Sequence, residues 1–146
     1  NLIIGEKTAE EIKMKIGAAY IEENKEFEVR GRDIMSGLPK NLTITSKETY
    51  EAFEEDIYNI VESVRNVLEQ TPPELSSDIM DRGIILTGGG SLLRGFDRLL
   101  TEETEIPVFL ADEPLYCVAK GTGHALEEID NLGDILLSSE SSIFTE

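Results

Sequence analysis

Gly88, Gly89 and Gly90 follow the apolar run Ile84-Ile85-Leu86 and the single Thr87, and they are the residues of this chain best suited to hold a small ligand. Successive residues without a Cβ let the main chain take positive φ and come close to a flat or charged group, with backbone N–H groups as donors. With Gly95 close behind, the cluster has more glycine than a tight turn needs, so the spacing favours ligand contact over a bare turn. A second candidate group lies near the start. Glu10, Lys13 and Gly17 are spaced i, i+3 and i+7, which lines up a carboxylate, an ammonium and bare backbone on one helix face. Residue types alone favour a solvated surface pair there, since such pairs are common and worth little. The chemistry on offer is recognition, not nucleophilic attack. His124 and Cys117 are each the sole residue of their kind. They do not make a zinc site without carboxylate help, and no Ser, His and Asp spacing suggests a hydrolytic nucleophile. Cys117 has no partner for an internal disulfide and, among apolar neighbours, reads as a buried structural thiol suited to a reducing cytoplasm.

Charge narrows the partners. Thirty acidic residues against thirteen basic ones give a formal charge of -17, which repels nucleic-acid phosphates and anionic membrane surfaces. The apolar runs are too short to cross a bilayer, and the start has neither a basic n-region nor an apolar h-region. The first residue is Asn, and the expectation is a piece of a longer protein.

The elements that must position these residues can be read from periodicity. Thr8 and Glu11 have capping-box spacing, and Ala9, Ile12, Ile16, Ala19 and Tyr20 form one stripe, so an amphipathic helix is expected to run through Tyr20. Residues 27–33 and 42–45 alternate apolar with polar residues and read as paired half-buried strands joined by an exposed loop at 36–41. Ser46 is the expected cap of a long core helix carrying Tyr50, Phe53, Ile57, Ile60, Val61, Val64, Val67 and Leu68 to about Gln70. Its other face carries Glu51, Glu54, Glu55 and Glu62, which read as solvated charge. Pro72 and Pro73 end that helix, with Pro73 placed to open a short one over residues 74–80. Residues 84–86 lack polar alternation and read as a strand covered on both faces, feeding through the glycines into a helical stripe of Leu92, Leu93, Phe96, Leu99 and Leu100. Residues 106–111 form a second apolar strand, completing a βαβ unit whose strands are parallel neighbours. The glycine turn and the 112–114 turn then share one sheet edge. Val118, Ala119, Thr122, Ala125, Leu126 and Ile129 give a last helix, where Gly121 and Gly123 imply close backbone packing. Residues 138–146, rich in serine and glutamate, read as a disordered tail.

With these residues in place the chain closely resembles the MreB family, the bacterial actin homologues that determine rod shape. The resemblance rests on residues 4–13, Ser36-Gly37-Leu38-Pro39, Thr71-Pro72-Pro73-Glu74-Leu75, residues 86–95 and Cys117-Val118-Ala119, in the family's order, and covers residues 1 to about 130. It implies an α/β, actin-like ATPase fold of the ribonuclease H-like kind. This piece would be most of its second half, with a parallel strand pair, a long core helix and a small α+β subdomain. Residues 1–48 resemble the small outer subdomain IIB, residues 49–130 the carboxyl part of subdomain IIA, and residues 131–146 a tail outside the fold. The resemblance assigns Glu10 and Lys13 to ribose and adenine, against the surface-pair reading. It assigns Gly88, Gly89, Gly90 and Leu92 to an adenosine-contacting turn, and Pro114 and Leu115 to the opposite side of the base. It implies ATP as ligand, with phosphate loops and magnesium held by segments preceding Asn1, so no turnover is expected from this piece alone. It also implies self-association into filaments at the cytoplasmic face of the membrane and work with the cell-wall synthesis and shape machinery. Nucleic acid and direct membrane contact by this piece are not expected.

Two rivals remain. Asp112 ends a strand at about the separation where a dinucleotide-binding oxidoreductase places its ribose-binding acid. The fingerprint wants glycine at its sixth position, and Gly88-Gly89-Gly90-Ser91-Leu92-Leu93 puts leucine there. Another actin-superfamily member, such as the division protein FtsA or a sugar kinase, shares the glycine turn but not the Thr-Pro-Pro-Glu-Leu approach to it.

Overall fold

The computed structural model describes residues 1–129. The chain runs β1 (Leu2–Ile3), α1 (Glu6–Ile16), β2 (Glu26–Asp33), β3 (Pro39–Thr45), α2 (Ser46–Glu69), α3 (Pro73–Arg82), β4 (Ile84–Leu86), a 3₁₀ turn (Gly89–Leu92), α4 (Phe96–Thr104), β5 (Val108–Leu110) and α5 (Cys117–Glu127). The expected tail at 138–146 lies outside the described residues.

The first half is an antiparallel sheet in the order β1-β2-β3, with Val29 opposite Leu42 and Phe27 opposite Ile44. Alternation in β2 buries Val29 and leaves Arg30 and Arg32 outside. Ile12 and Ile16 of α1 close over Val29 to form one core cluster. The turn beyond β2 is tied by Asp33, whose carboxylate accepts from the amides of Met35 and Ser36 at 2.9 Å each and from Lys40 Nζ at 3.0 Å. The Ser36 amide first, then the Lys40 ammonium, hold the Asp33 carboxyl down at about 2 against an ordinary 3.8.

Two helix boundaries differ from the sequence expectation. α1 starts at Glu6, with Gly5 at the N-cap and no side-chain cap. Thr8 therefore sits inside the first turn, where its capping box with Glu11 does not form. At the other end Gly17 is extended, and Ala18 and Ala19 leave the helix because Ala18 bridges Arg94 and the Ala19 amide donates to the Arg94 carbonyl at 2.8 Å. Long-range backbone pairing outweighs the helical stripe through Tyr20. α2 is capped by Thr45, which forms a complete capping box with Glu48, and not by Ser46, whose hydroxyl is used elsewhere. Glu62 pairs with Arg65 at 3.1 Å, while Glu51, Glu54 and Glu55 are solvated as expected.

The second half packs α2 and α4 on the parallel pair β4–β5, in register Ile84 to Val108 and Leu86 to Leu110. Its core is Ala19, Ile57, Val61, Phe96, Leu100 and Val108. The expectation that residues 84–86 are covered on both faces fails, for Ile85 is 57% and Phe109 51% exposed. The pair has an inner face on the core and an outer face without cover among the described residues. Pro73 opens α3 as expected. α5 buries no residue, and a Cβ at Gly121 or Gly123 would meet nothing within 4 Å, so the expected close packing there is absent. Cys117 is half-buried, not buried. No helix among the described residues is long and apolar enough to cross a membrane.

Candidate functional site

The glycine turn begins where β4 ends. Gly88 has φ 80 and ψ 175, a conformation essentially reserved for glycine. Its amide donates to the Pro114 carbonyl at 2.8 Å. This bond joins the turn after β4 to the turn after β5, at the carboxyl ends of both strands, where open α/β sheets hold ligands. Ser91 is buried and donates its hydroxyl to the Gly88 carbonyl at 2.6 Å, which locks the 3₁₀ turn from beneath. A Cβ at Gly89 would meet Leu115 Cδ2 at 3.4 Å, while at Gly90 it would meet nothing within 4 Å. Leu92 and Leu115 are exposed beside these glycines. The result is a bare backbone shelf flanked by exposed apolar side chains. Glu113, next to Pro114, is ion-paired with Lys120, which steadies that wall.

The helix expected directly after the glycines is interrupted. Leu93 is extended and Gly95 is left-handed, so α4 starts only at Phe96. Leu92 and Leu93 do not lie on its stripe. Gly95 must be glycine on two grounds: its φ is 70, and a Cβ there would stand 2.7 Å from Tyr20 Cβ. The turn thus offers the amides of one 3₁₀ turn, not the N-terminus of α4.

Glu10 and Lys13 are both exposed on α1 and their side chains make no ion pair or hydrogen bond among the described residues, although neighbouring Glu11 and Lys15 pair at 2.8 Å. The surface pair favoured by residue types does not form. Both side chains border an open groove of about 750 Å³ between α1 and the first half of α2, with Ile4, Ile12, Ile44 and Phe53 also in its lining. The glycine turn, Leu92, Pro114 and Leu115 are not part of that lining. Gly17 links the two places, because a Cβ there would stand 3.2 Å from Leu93 Cδ1, next to the 3₁₀ turn. The structure therefore brings Gly88 and Gly89 together with Pro114 and Leu115, and leaves Glu10 and Lys13 on a neighbouring groove reached through Gly17. Among the described residues no group of three His, Cys, Asp or Glu side chains is arranged to hold a metal ion.

Sequence reasoning passed over Arg94. Its guanidinium donates from Nε to the Gly17 carbonyl at 3.2 Å and from Nη2 to the Ile16 carbonyl at 3.0 Å and Ser46 Oγ at 2.9 Å. The available signal was a cation within the apolar stretch Leu92-Leu93-Arg94-Gly95-Phe96, where it needs partners.

The family described as MreB/Mbl protein matches residues 1–134. The cell shape-determining protein MreB of Escherichia coli K12 is 55% identical over 139 residues, covering 94% of this chain and 40% of that protein. The cell shape-determining protein Mbl of Bacillus cereus is 53% identical over 132 residues, covering 90% of this chain and 40% of that protein. The crystal structure of MreB5 of Spiroplasma citri bound to ADP superposes with a TM-score of 0.83 at 38% identity, over 88% of this chain and 40% of that one. The chain thus spans about 40% of the length of these relatives. A shared glycine turn would also fit a sugar kinase or a dinucleotide-binding fold, but identity sustained over nearly the whole chain does not. This chain belongs to the MreB/Mbl family and has its actin-like fold.

Proposed function

We propose that this chain supplies the adenosine side of the nucleotide site in a filament-forming, actin-like cytoskeletal protein that maintains rod shape. In this reading Gly88, Gly89, Gly90 and Leu92 form one wall against the base, Pro114 and Leu115 the other, and Glu10 and Lys13 reach the ribose and adenine. The observation that carries it is the hydrogen bond from the Gly88 amide to the Pro114 carbonyl, which makes one shelf of two turns distant in sequence. The open space at Gly90 adds support, since nothing in the described chain requires glycine there. The likeness to MreB5 bound to ADP points the same way. ATP brings the phosphoryl group to be transferred. The contribution of these residues is to bind and orient its nucleoside end, while magnesium and the phosphates are held by the remainder of the full-length protein. On this reading residues 1–48 act as the small outer subdomain and 49–130 as part of the core subdomain. The full-length protein is a slow ATPase that polymerises at the cytoplasmic face of the membrane alongside the cell-wall machinery.

Calorimetry with adenosine and with ATP tests this. Micromolar binding corresponds to about 8 kcal/mol and millimolar to about 4, and each charge-assisted phosphate hydrogen bond is worth roughly 1.5–3 kcal/mol. The chain alone is therefore expected to bind adenosine and ATP about equally, in the millimolar range, without magnesium dependence or turnover. In the full-length protein Lys13→Ala and Gly89→Val each weaken both ligands. Tight magnesium-dependent ATP binding or hydrolysis by this chain alone overturns the division.

A further inference from the structure

The Arg94 side chain ties the segment after the 3₁₀ turn to the end of α1 and the start of α2. It lies two residues beyond the 3₁₀ turn, between extended Leu93 and left-handed Gly95. The carbonyls of Ile16 and Gly17 that it binds are the last of α1, which have no partner within the helix and carry the negative end of its dipole. Its third acceptor, Ser46 Oγ, is fully buried in the first turn of α2 and also accepts from the Lys25 amide at 3.1 Å. The backbone of Arg94 completes the clamp by accepting from the Ala19 and Tyr20 amides at 2.8 and 3.3 Å. Among the described residues no carboxylate pairs with this guanidinium, so oxygens of fixed position meet its charge. A planar fork suits that task because its donors are set in direction relative to one another.

We propose that Arg94 is a positioning residue that fixes the glycine turn relative to α1, and with it the distance between the Gly88-Gly89-Gly90 shelf and the Glu10–Lys13 face. This rests on the adenosine reading above. Arg94 touches no ligand in it; it sets the spacing of two groups of contacts that one nucleoside must satisfy together. Leu93 packed under Gly17 shares the work, leaving the turn little freedom to slide along α1. Misplacing contact groups lowers affinity without removing any of them.

The test uses the full-length protein and the variants Arg94→Met, Arg94→Lys and Ser46→Ala. Fluorescence titration with adenosine reports the Kd of the folded fraction, and amide exchange without nucleotide reports order at residues 18–20 and 88–93. Arg94→Met is expected to weaken adenosine about tenfold and to speed exchange in both segments. Arg94→Lys keeps the charge but cannot span two carbonyls and a hydroxyl, so it recovers only part of the affinity. Ser46→Ala removes only the α2 contact and leaves adenosine within about twofold while freeing the Lys25 amide. If Arg94→Met does not fold, Arg94→Lys alone carries the comparison. A lower melting temperature with unchanged Kd and unchanged exchange at 88–93 overturns the proposal, as does full rescue by lysine. Absence of adenosine binding by the parent protein sinks the adenosine reading instead, and exchange at 88–93 then decides whether Arg94 sets the turn.

Discussion

The antiparallel sheet of β1, β2 and β3 and the parallel pair β4–β5 both carry apolar residues, yet they meet solvent differently. In β2 apolar and polar residues alternate, so one covered face suffices: Val29 is 2% exposed beneath α1 while Arg30 and Arg32 face water. In β4 and β5 every side chain is apolar, so covering one face leaves Ile85 and Phe109 in solvent. A period-two strand states how much cover it needs, whereas an unbroken apolar strand asks for cover on both sides. The two halves also keep separate cores, Ile12, Ile16 and Val29 in one and the Leu100 cluster in the other, tied at the end of α1.

The largest expected effect separates those cores. Leu100 is 1% exposed, and Leu100→Ala is expected to cost about 2–5 kcal/mol in denaturant unfolding. Hydrogen exchange should quicken in β4 and β5 and stay slow in β2 and β3. Equal quickening in both sheets would show that the halves open as one unit and would break the comparison.

A smaller effect sharpens it within the glycine turn. Gly88→Ala forces a side chain into a glycine conformation and costs about 1–3 kcal/mol. Gly90→Ala meets neither strain nor neighbours, so its stability is expected to change by less than about 0.5 kcal/mol. If the proposed adenosine site is right, adenosine affinity in the full-length protein should nonetheless fall for Gly90→Ala, because its Cβ enters the space that reading gives to the base. Loss of stability at Gly90, or unchanged binding, would remove the argument that this glycine serves a ligand.

The smallest effect is local to the β2–β3 hairpin. Asp33 is held at about 2 against 3.8. A carboxylate lowered on folding contributes stability that is present above its unfolded value and is lost as pH falls through the folded one. The Met35 and Ser36 amides should therefore keep their chemical shifts down to about pH 3 and move in a transition centred near pH 2. Asp33→Asn should abolish that transition. Movement centred near 4 would mean that the turn does not hold the carboxylate as described.

Much of this was legible without coordinates. The pairing of β2 with β3, the long α2, Pro73 opening α3, the parallel pair around α4 and the glycine turn between them all follow from periodicity, proline and glycine, because these signals act within a few residues. The MreB/Mbl membership was legible for the same reason, being carried by short motifs in order. Tertiary structure alone decided where competing local signals gave way. α1 stops at Ile16 and not at Tyr20 because Arg94, 77 residues from Gly17, binds its last carbonyls and pairs with the chain beyond. Ser46 yields its capping role to Thr45 because that same arginine takes its hydroxyl. The stripe from Leu92 to Leu100 is cut because Gly95 must pass within contact of Tyr20. In each case a residue could satisfy more than one local pattern, and a partner distant in sequence chose between them.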